Sequence, residues 1–471
     1  MILIASLAAA LSGQPLPGEA AITFTAESGD EVAAYRGELQ VREHRAASDS
    51  RMIELSYVRF PATTETPGDP IVYLAGGPGG SGSGAAEGRR FELFMAMRAH
   101  GDVIAFDQRG TGDSTGLPDC RTDIQLPTGR PINQTELIEA YRAAAVECRA
   151  FWAGEGVAIE GYTTLESVAD LSDLRRHLGA QRLDLWGISY GTHLALAAMK
   201  TIPEELDQVI LASAEGLNQT VKLPSRADAF YARLGEAAAS QPEAAARYGD
   251  LVALMRRVQD RLAQEPVAMV LEGPDGAPVE FLFTRDHLQM ISGWASDPGR
   301  VGWILQLYAS LDAGQTGMAR AIAQRVFDPG EPITLRAMPT VMDVASGISR
   351  ERLALFEAEA EDSMVGPYLN FPMPQLAGVW PDIDLGEGFR EEAAYDGPVL
   401  LLTGTLDGRT FIDGQYEATA RLSDVARVTV VNAGHNLFMT SPEVGDAMAA
   451  FMRGDQVPAE IEVALPDFAG Q

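Results

Sequence analysis

The sequence predicts an α/β fold with a mostly parallel sheet, and three observations carry the prediction. Compact apolar runs recur at 71–75, 103–106, 183–186, 209–211, 399–402 and 428–431. Several lead into stretches of helical period, and apolar strands alternating with helices mean a sheet covered on both faces. Ahead of them, residues 22–25, 39–41 and 53–58 form short alternating or β-branched runs, the pattern of antiparallel strands.

Between the runs at 209–211 and 399–402 lies far more chain than one crossover helix, and most of it has helical period: 227–239, 244–263, 300–311, 318–326 and 350–360. A structureless loop of that length is implausible in a compact domain, so the block reads as a helical lid inserted between two late strands. The expected division is a core over 21–216, the lid over 217–395 and the rest of the core over 396–471. The acidic tail after Gly454, with two prolines, is expected to pack lightly.

Length agrees, since 471 residues exceed one ordinary domain. Acidic residues outnumber basic ones 66 to 36, and the net charge of -30 repels phosphate backbones and anionic lipid, which excludes a nucleic-acid partner. The two cysteines and six histidines show no zinc-site spacing, so no metal is expected. Residues 2–11 are almost wholly apolar and small residues follow up to Ala20, which is the middle and end of an export signal without its basic front. Segment 1–20 is therefore expected to be removed on export to the periplasm or beyond; the other reading is a loosely ordered lead-in. No later apolar run reaches the length of a membrane span. If the chain is exported, Cys120 and Cys148 are candidates for a bridge; in a cytoplasm they are buried thiols.

The chemistry is placed at strand ends. Strand 183–186 runs into Gly187-Ile188-Ser189-Tyr190-Gly191 and then into a helix rich in Ala and Leu. A serine on so sharp a turn holds a strained backbone, and side chains in place of the glycines would collide with neighbouring elements. The same five-residue pattern recurs at Gly112–Gly116, but Leu117-Pro118 follows it rather than a helix, so Ser189 is the candidate nucleophile. A serine needs a base, and the base needs a carboxylate to fix its tautomer. Asp407 follows strand 399–402 and His435 follows strand 428–431, in the order Ser, Asp, His. His193 lies on the nucleophile's own helix and His287 in the lid; Asp413, the rival carboxylate, falls inside the following helix. Donors for the developing oxyanion are the Tyr190 amide and that of Gly77, or of Gly76, in the glycine-rich 76–84 loop. That loop also fits a permissive dinucleotide fingerprint, Gly80-x-Gly82-x-x-Ala85 with Asp107 beyond, but this reading leaves the triad unexplained.

Taken together, Gly76-Gly77-Pro78-Gly79, the stretch Asp107-Gln108-Arg109-Gly110-Thr111-Gly112-Asp113-Ser114, Gly187–Gly191, the Asp407 turn and Gly434-His435 resemble the α/β-hydrolases of the proline iminopeptidase and tripeptidyl aminopeptidase group. Ala75 departs from the histidine that many members carry there. The resemblance implies a cofactor-free serine peptidase with a helical lid, removing one or a few residues from a peptide with a free N-terminal amine. It also implies that Cys120 and Cys148 pair. Such an enzyme needs carboxylates or carbonyls for the substrate ammonium. Glu215, after strand 209–211, is one candidate, with a loop-ordering role as its alternative; Glu357 and Glu361 in the lid are others, although their spacing fits a solvated helix face. Asp107 and Arg109 are read as a structural pair, and Trp294, Trp303 and Trp380 as pocket wall or lid core. An esterase or lipase-like hydrolase would share the same triad, and a catalytically silent binding protein on this scaffold is the remaining alternative.

Overall fold

The computed structural model describes residues 13–295 and 298–470. Ten strands form the main sheet: β1 (Ala20–Thr25), β2 (Glu31–Arg42), β3 (Met52–Phe60), β4 (Ile71–Leu74), β5 (Val103–Phe106), β6 (Leu183–Ile188), β7 (Leu206–Ala212), β8 (Tyr395–Gly404), β9 (Leu422–Val431) and β10 (Glu460–Glu462). Their spatial order is β1-β2-β3-β5-β4-β6-β7-β8-β9-β10. The first three strands and the β3–β5 pair are antiparallel, and every pair from β5 and β4 onward is parallel.

Period-two alternation sends successive side chains of the central strands into separate cores. Val72, Leu74, Leu185, Val209, Leu211, Val399 and Leu401 pack on one face. Tyr73, Trp186, Ile188, Ile210, Leu400 and Leu402 pack on the other. Both faces being buried explains why these strands read as unbroken apolar runs.

The insertion between β7 and β8 is mainly helical and has its own core, in which Phe230, Leu234, Met255, Val258, Leu288, Leu305 and Tyr308 are buried together. Two details differ from the sequence expectation. The helix expected over 244–263 is two helices, Pro242–Tyr248 and Leu251–Gln264, because Gly249 adopts a left-handed conformation at φ 60° and Asp250 caps the second. The lid also holds strands: Val267–Glu272 pairs with Pro278–Phe283, and Pro332–Leu335 pairs with Cys120–Gln125 of the core. Cys120 and Cys148 are joined in a disulfide, tying that core strand to helix Gln134–Gly154.

The tail is a clear correction. Its β10 extends the sheet beside β9, and Phe468 is fully buried in the lid core, with Tyr248 donating to its carbonyl at 2.9 Å. Two prolines and acidic charge hid an apolar anchor. At the other end, the apolar run 2–11 lies outside the described residues, but Leu16 packs into the core and Glu19 accepts from Arg59 Nε at 2.8 Å and Tyr57 at 3.1 Å. Removal of all of 1–20 would leave the Arg59 guanidinium without this carboxylate, so residues 16–19 belong to the fold.

Candidate active site

Strand β6 ends at the candidate nucleophile, Ser189. Ser189 holds φ 56° and ψ -127° and is followed at once by helix Tyr190–Thr201, a backbone that costs of order 1–3 kcal/mol. The flanking glycines are required: a Cβ on Gly191 would stand 2.0 Å from the Leu74 carbonyl oxygen, and one on Gly187 would stand 2.7 Å from that of Gly191. The serine amide is pinned to the Ala212 carbonyl at 3.1 Å. The other match to the pattern is structural. Ser114 is buried, donates to the Asp107 carbonyl at 2.6 Å and accepts from the Ser56 amide at 2.9 Å.

His435 and Asp407 come from the turns after β9 and β8. Gly404 lets those turns meet, since a Cβ there would fall 2.5 Å from the Ala433 carbonyl oxygen. His435 Nδ1 lies 3.1 and 3.2 Å from the two carboxylate oxygens of Asp407. A carboxylate can only accept, so Nδ1 carries the proton and Nε2 is the acceptor nitrogen of the ring. Asp407 is fully buried, yet it accepts from the Arg409 amide at 2.8 Å, the Thr410 amide at 2.9 Å, the Thr410 hydroxyl at 2.7 Å and Gln415 Nε2 at 3.1 Å. Burial alone would raise its pKa, but His435 and the Thr410 donors outweigh it and hold the carboxyl well below the usual range. Sequence reasoning missed Thr410 and Gln415, although an acceptor followed three residues later by Thr is a readable turn signal. The rival Asp413 is exposed on helix Ile412–Ala418 and pairs with Arg226 at 3.4 Å.

Ser189, His435, Gly76 and Gly77 line one cavity of about 820 Å³ under the lid. Gly76 approaches the nucleophile so closely that a Cβ would lie 3.0 Å from that of Ser189, and Gly77 adopts φ 128°, open only to glycine. The Tyr190 amide opens the nucleophile helix, where N–H groups lack helical partners. Asp107 fixes the loop: each of its oxygens accepts two bonds, from Ser81 and the Ser83 amide and from the Ser83 hydroxyl and the Asp113 amide. It is thus occupied rather than offered to a ribose. Nor does it pair with Arg109, whose guanidinium binds Asp170 through two bonds of 2.7 Å.

Of the candidate amine ligands, Glu357 and Glu361 are exposed on or just after helix Arg350–Ala360, and neither lines the cavity. Glu215 is buried and bound to Lys222 Nζ at 2.7 Å, behind the cavity wall. The carboxylate that does line the cavity is Asp343, on lid helix Ala337–Ser346, which the sequence did not single out. Burial and then the neighbouring Glu215 push its pKa up to about 7, against Lys222 and Arg409. Asn370 stands on the same wall. It gives its amide to the Lys222 carbonyl at 2.9 Å, which fixes its orientation, while its buried Oδ1 has no partner among the described residues. Trp294 lines the cavity, whereas Trp303 packs on the lid core and Trp380 is buried against Trp152. His193 is buried between the Gly216 carbonyl and Ser346, and His287 caps its own helix.

Residues 69–247 match the family described as alpha/beta hydrolase fold. The serine protease Hip1 of Mycobacterium tuberculosis is 29% identical over 187 residues, 38% of this chain and 36% of that protein. The tripeptidyl aminopeptidase of Streptomyces lividans is 28% identical over 149 residues, 30% of this chain and 28% of that protein. A proline iminopeptidase of Xylella fastidiosa is 30% identical over 144 residues, 31% of this chain and 32% of that protein. The chain spans about a third of the length of the curated relatives it matches.

Proposed function

For a chain with the α/β-hydrolase fold whose curated relatives include named serine peptidases, we propose the activity of a serine aminopeptidase acting on peptides with a free N-terminal amine. Ser189 attacks the scissile carbonyl, His435 takes its proton and passes it to the leaving amine, and Asp407 holds the imidazole's tautomer. The Tyr190 and Gly77 amides receive the oxyanion, and water then hydrolyses the acyl-enzyme.

The observation that carries the aminopeptidase reading, over an esterase with the same triad, is the cavity wall of Asp343 and Asn370. A substrate ammonium has three donors, and here it meets one carboxylate and one buried acceptor that otherwise goes unsatisfied. Glu215 supports this wall through Lys222 rather than binding substrate itself. No helix among the described residues is long and apolar enough to cross a membrane. The disulfide supports export to an oxidising compartment, periplasmic or external.

The test is a fluorophosphonate label followed by a panel of aminoacyl and tripeptidyl anilides. Labelling at Ser189 together with turnover of amine-bearing anilides is expected. No label at Ser189, or turnover of simple esters but of no anilide, would overturn the assignment.

A further inference from the structure

The cavity wall is basic in a strongly acidic chain. Against a net charge of -30, it carries Arg90, Arg336 and Arg409 but, among the described residues, only one carboxylate, Asp343. Among the described residues none of the three arginines has a carboxylate within ion-pair distance. Arg409 is engaged at the amine end, donating to the Leu369 carbonyl at 3.1 Å with its charge bearing on Asp343. That leaves Arg336 and Arg90, the latter bonded, among the described residues, to neutral groups alone and lying over the Tyr73 and Phe438 rings.

Their positions are set by the fold. Arg90 donates to the Tyr73 hydroxyl and, through Nη2, to Asn436 Oδ1 at 3.1 Å, so it stands on the His435 side of the cavity. His435 protonates the leaving amine, so that side receives the part of the peptide beyond the scissile bond. Arg336 precedes lid helix Ala337–Ser346, whose first turn lies over the glycine loop: a Cβ on Gly79 would be 3.7 Å from Pro339. Asp343 is seven residues further along, about 10 Å by helical rise, which is roughly three residues of extended peptide. The Arg336 side chain is exposed and makes no hydrogen bond among the described residues. One cavity lining thus holds the acceptors Asp343 and Asn370, the guanidinium groups of Arg90 and Arg336, and Ser189.

Resting on the aminopeptidase reading, we infer that Arg90 and Arg336 form a subsite for a carboxylate carried by the leaving part of the peptide. The carboxylate is either the C-terminal group of a short peptide or an acidic side chain just after the cut. The preferred substrate is then a short zwitterion, its ammonium on Asp343 and its carboxylate on the arginines. Guanidinium–carboxylate bonds are charge-assisted and directional.

Binding to the Ser189→Ala protein tests this without requiring turnover. The probes are a dipeptide and tripeptide as free acids, the same peptides as C-terminal amides, and amides with Glu or Gln after the first residue. The acid should bind about tenfold more tightly than its amide, a difference of 1.4 kcal/mol, or Glu about tenfold more tightly than Gln. The arm that shows the preference identifies the source of the carboxylate. Adding Arg90→Gln or Arg336→Gln should bring that ratio towards one, and because each ratio is taken within one protein, any general loss of affinity cancels. Equal binding of acid and amide together with equal binding of Glu and Gln, or a preference surviving both substitutions, overturns the subsite. Loss of the aminopeptidase reading would show separately, as wild-type inactivity on neutral amine-bearing anilides.

Discussion

The sheet and the lid divide the labour unequally. Every group assigned to the proposed proton chain sits at the end of a sheet strand: Ser189 after β6, Asp407 after β8, His435 after β9. The groups assigned to substrate selection are on or beside the insertion: Asp343 and Arg336 at one lid helix and Asn370 in the segment facing it. Strand ends are fixed by hydrogen-bonded neighbours on both sides, so they hold reacting atoms; a lid joined to the core by a short strand pair and by packing can change its wall without disturbing them. Chemistry and selectivity are therefore separable in this molecule, because they are carried by different elements.

The largest effect should come from the sheet. Ser189→Ala should lower kcat by about a millionfold while leaving the thermal unfolding curve in place, since a strained residue gives way to a smaller one; a variant retaining the wild-type rate removes the nucleophile assignment. Asp407→Asn should cost about ten-thousandfold in kcat, because an amide can donate to Nδ1 and favour the wrong tautomer. An equal loss appearing in KM instead would move Asp407 from the chemistry to binding.

At the seam between the two regions stands the disulfide. Cys120 begins the core strand that pairs with lid strand Pro332–Leu335. Replacing both cysteines by Ala should cost about 3–4 kcal/mol of stability in the chain-entropy picture. Hydrogen exchange should rise first in Cys120–Gln125 and Pro332–Leu335 rather than in β6 and β7, and uniform loosening would contradict the seam.

The smallest effect belongs to the lid alone. Asp343 is faced by Glu215, Lys222 and Arg409, and its pKa stands at about 7 rather than at the ordinary 3.8. An ammonium needs the ionised carboxylate, so below pH 7 binding must first remove a proton. The affinity of the Ser189→Ala protein for an amine-bearing peptide should therefore fall about tenfold per unit as pH drops from 7 to 5. In Asp343→Asn the affinity should be weak and flat over the same range; a fall that persists there would assign the titration to another group.

How legible this was follows from the same division. The central strands declared themselves because both their faces are buried, and the candidate triad was read from the turns at their ends. The wall of the cavity did not, because Asp343 on an apolar helix is indistinguishable in sequence from any solvated carboxylate until the insertion folds over the sheet. Glu215 was visible for its position after β7, but its partner Lys222 lies within a loop whose path only packing decides. Asp107 and Arg109 are two residues apart and oppositely charged, yet the turn sends one to the glycine loop and the other to Asp170. The tail misled for a similar reason: Phe468 is a single apolar residue among prolines and acids, and its docking site belongs to the lid.

The central claim is that a sheet-borne triad is given exopeptidase selectivity by a lid carboxylate. Its most direct measurement is kcat/KM on one aminoacyl anilide and on its N-acetylated twin, in the wild type and in Asp343→Asn. The wild type should favour the free amine by at least about tenfold, and the variant should lose that preference while still turning over the acetylated compound. Equal rates on the two compounds in the wild type, or an undiminished preference in Asp343→Asn, would contradict the account.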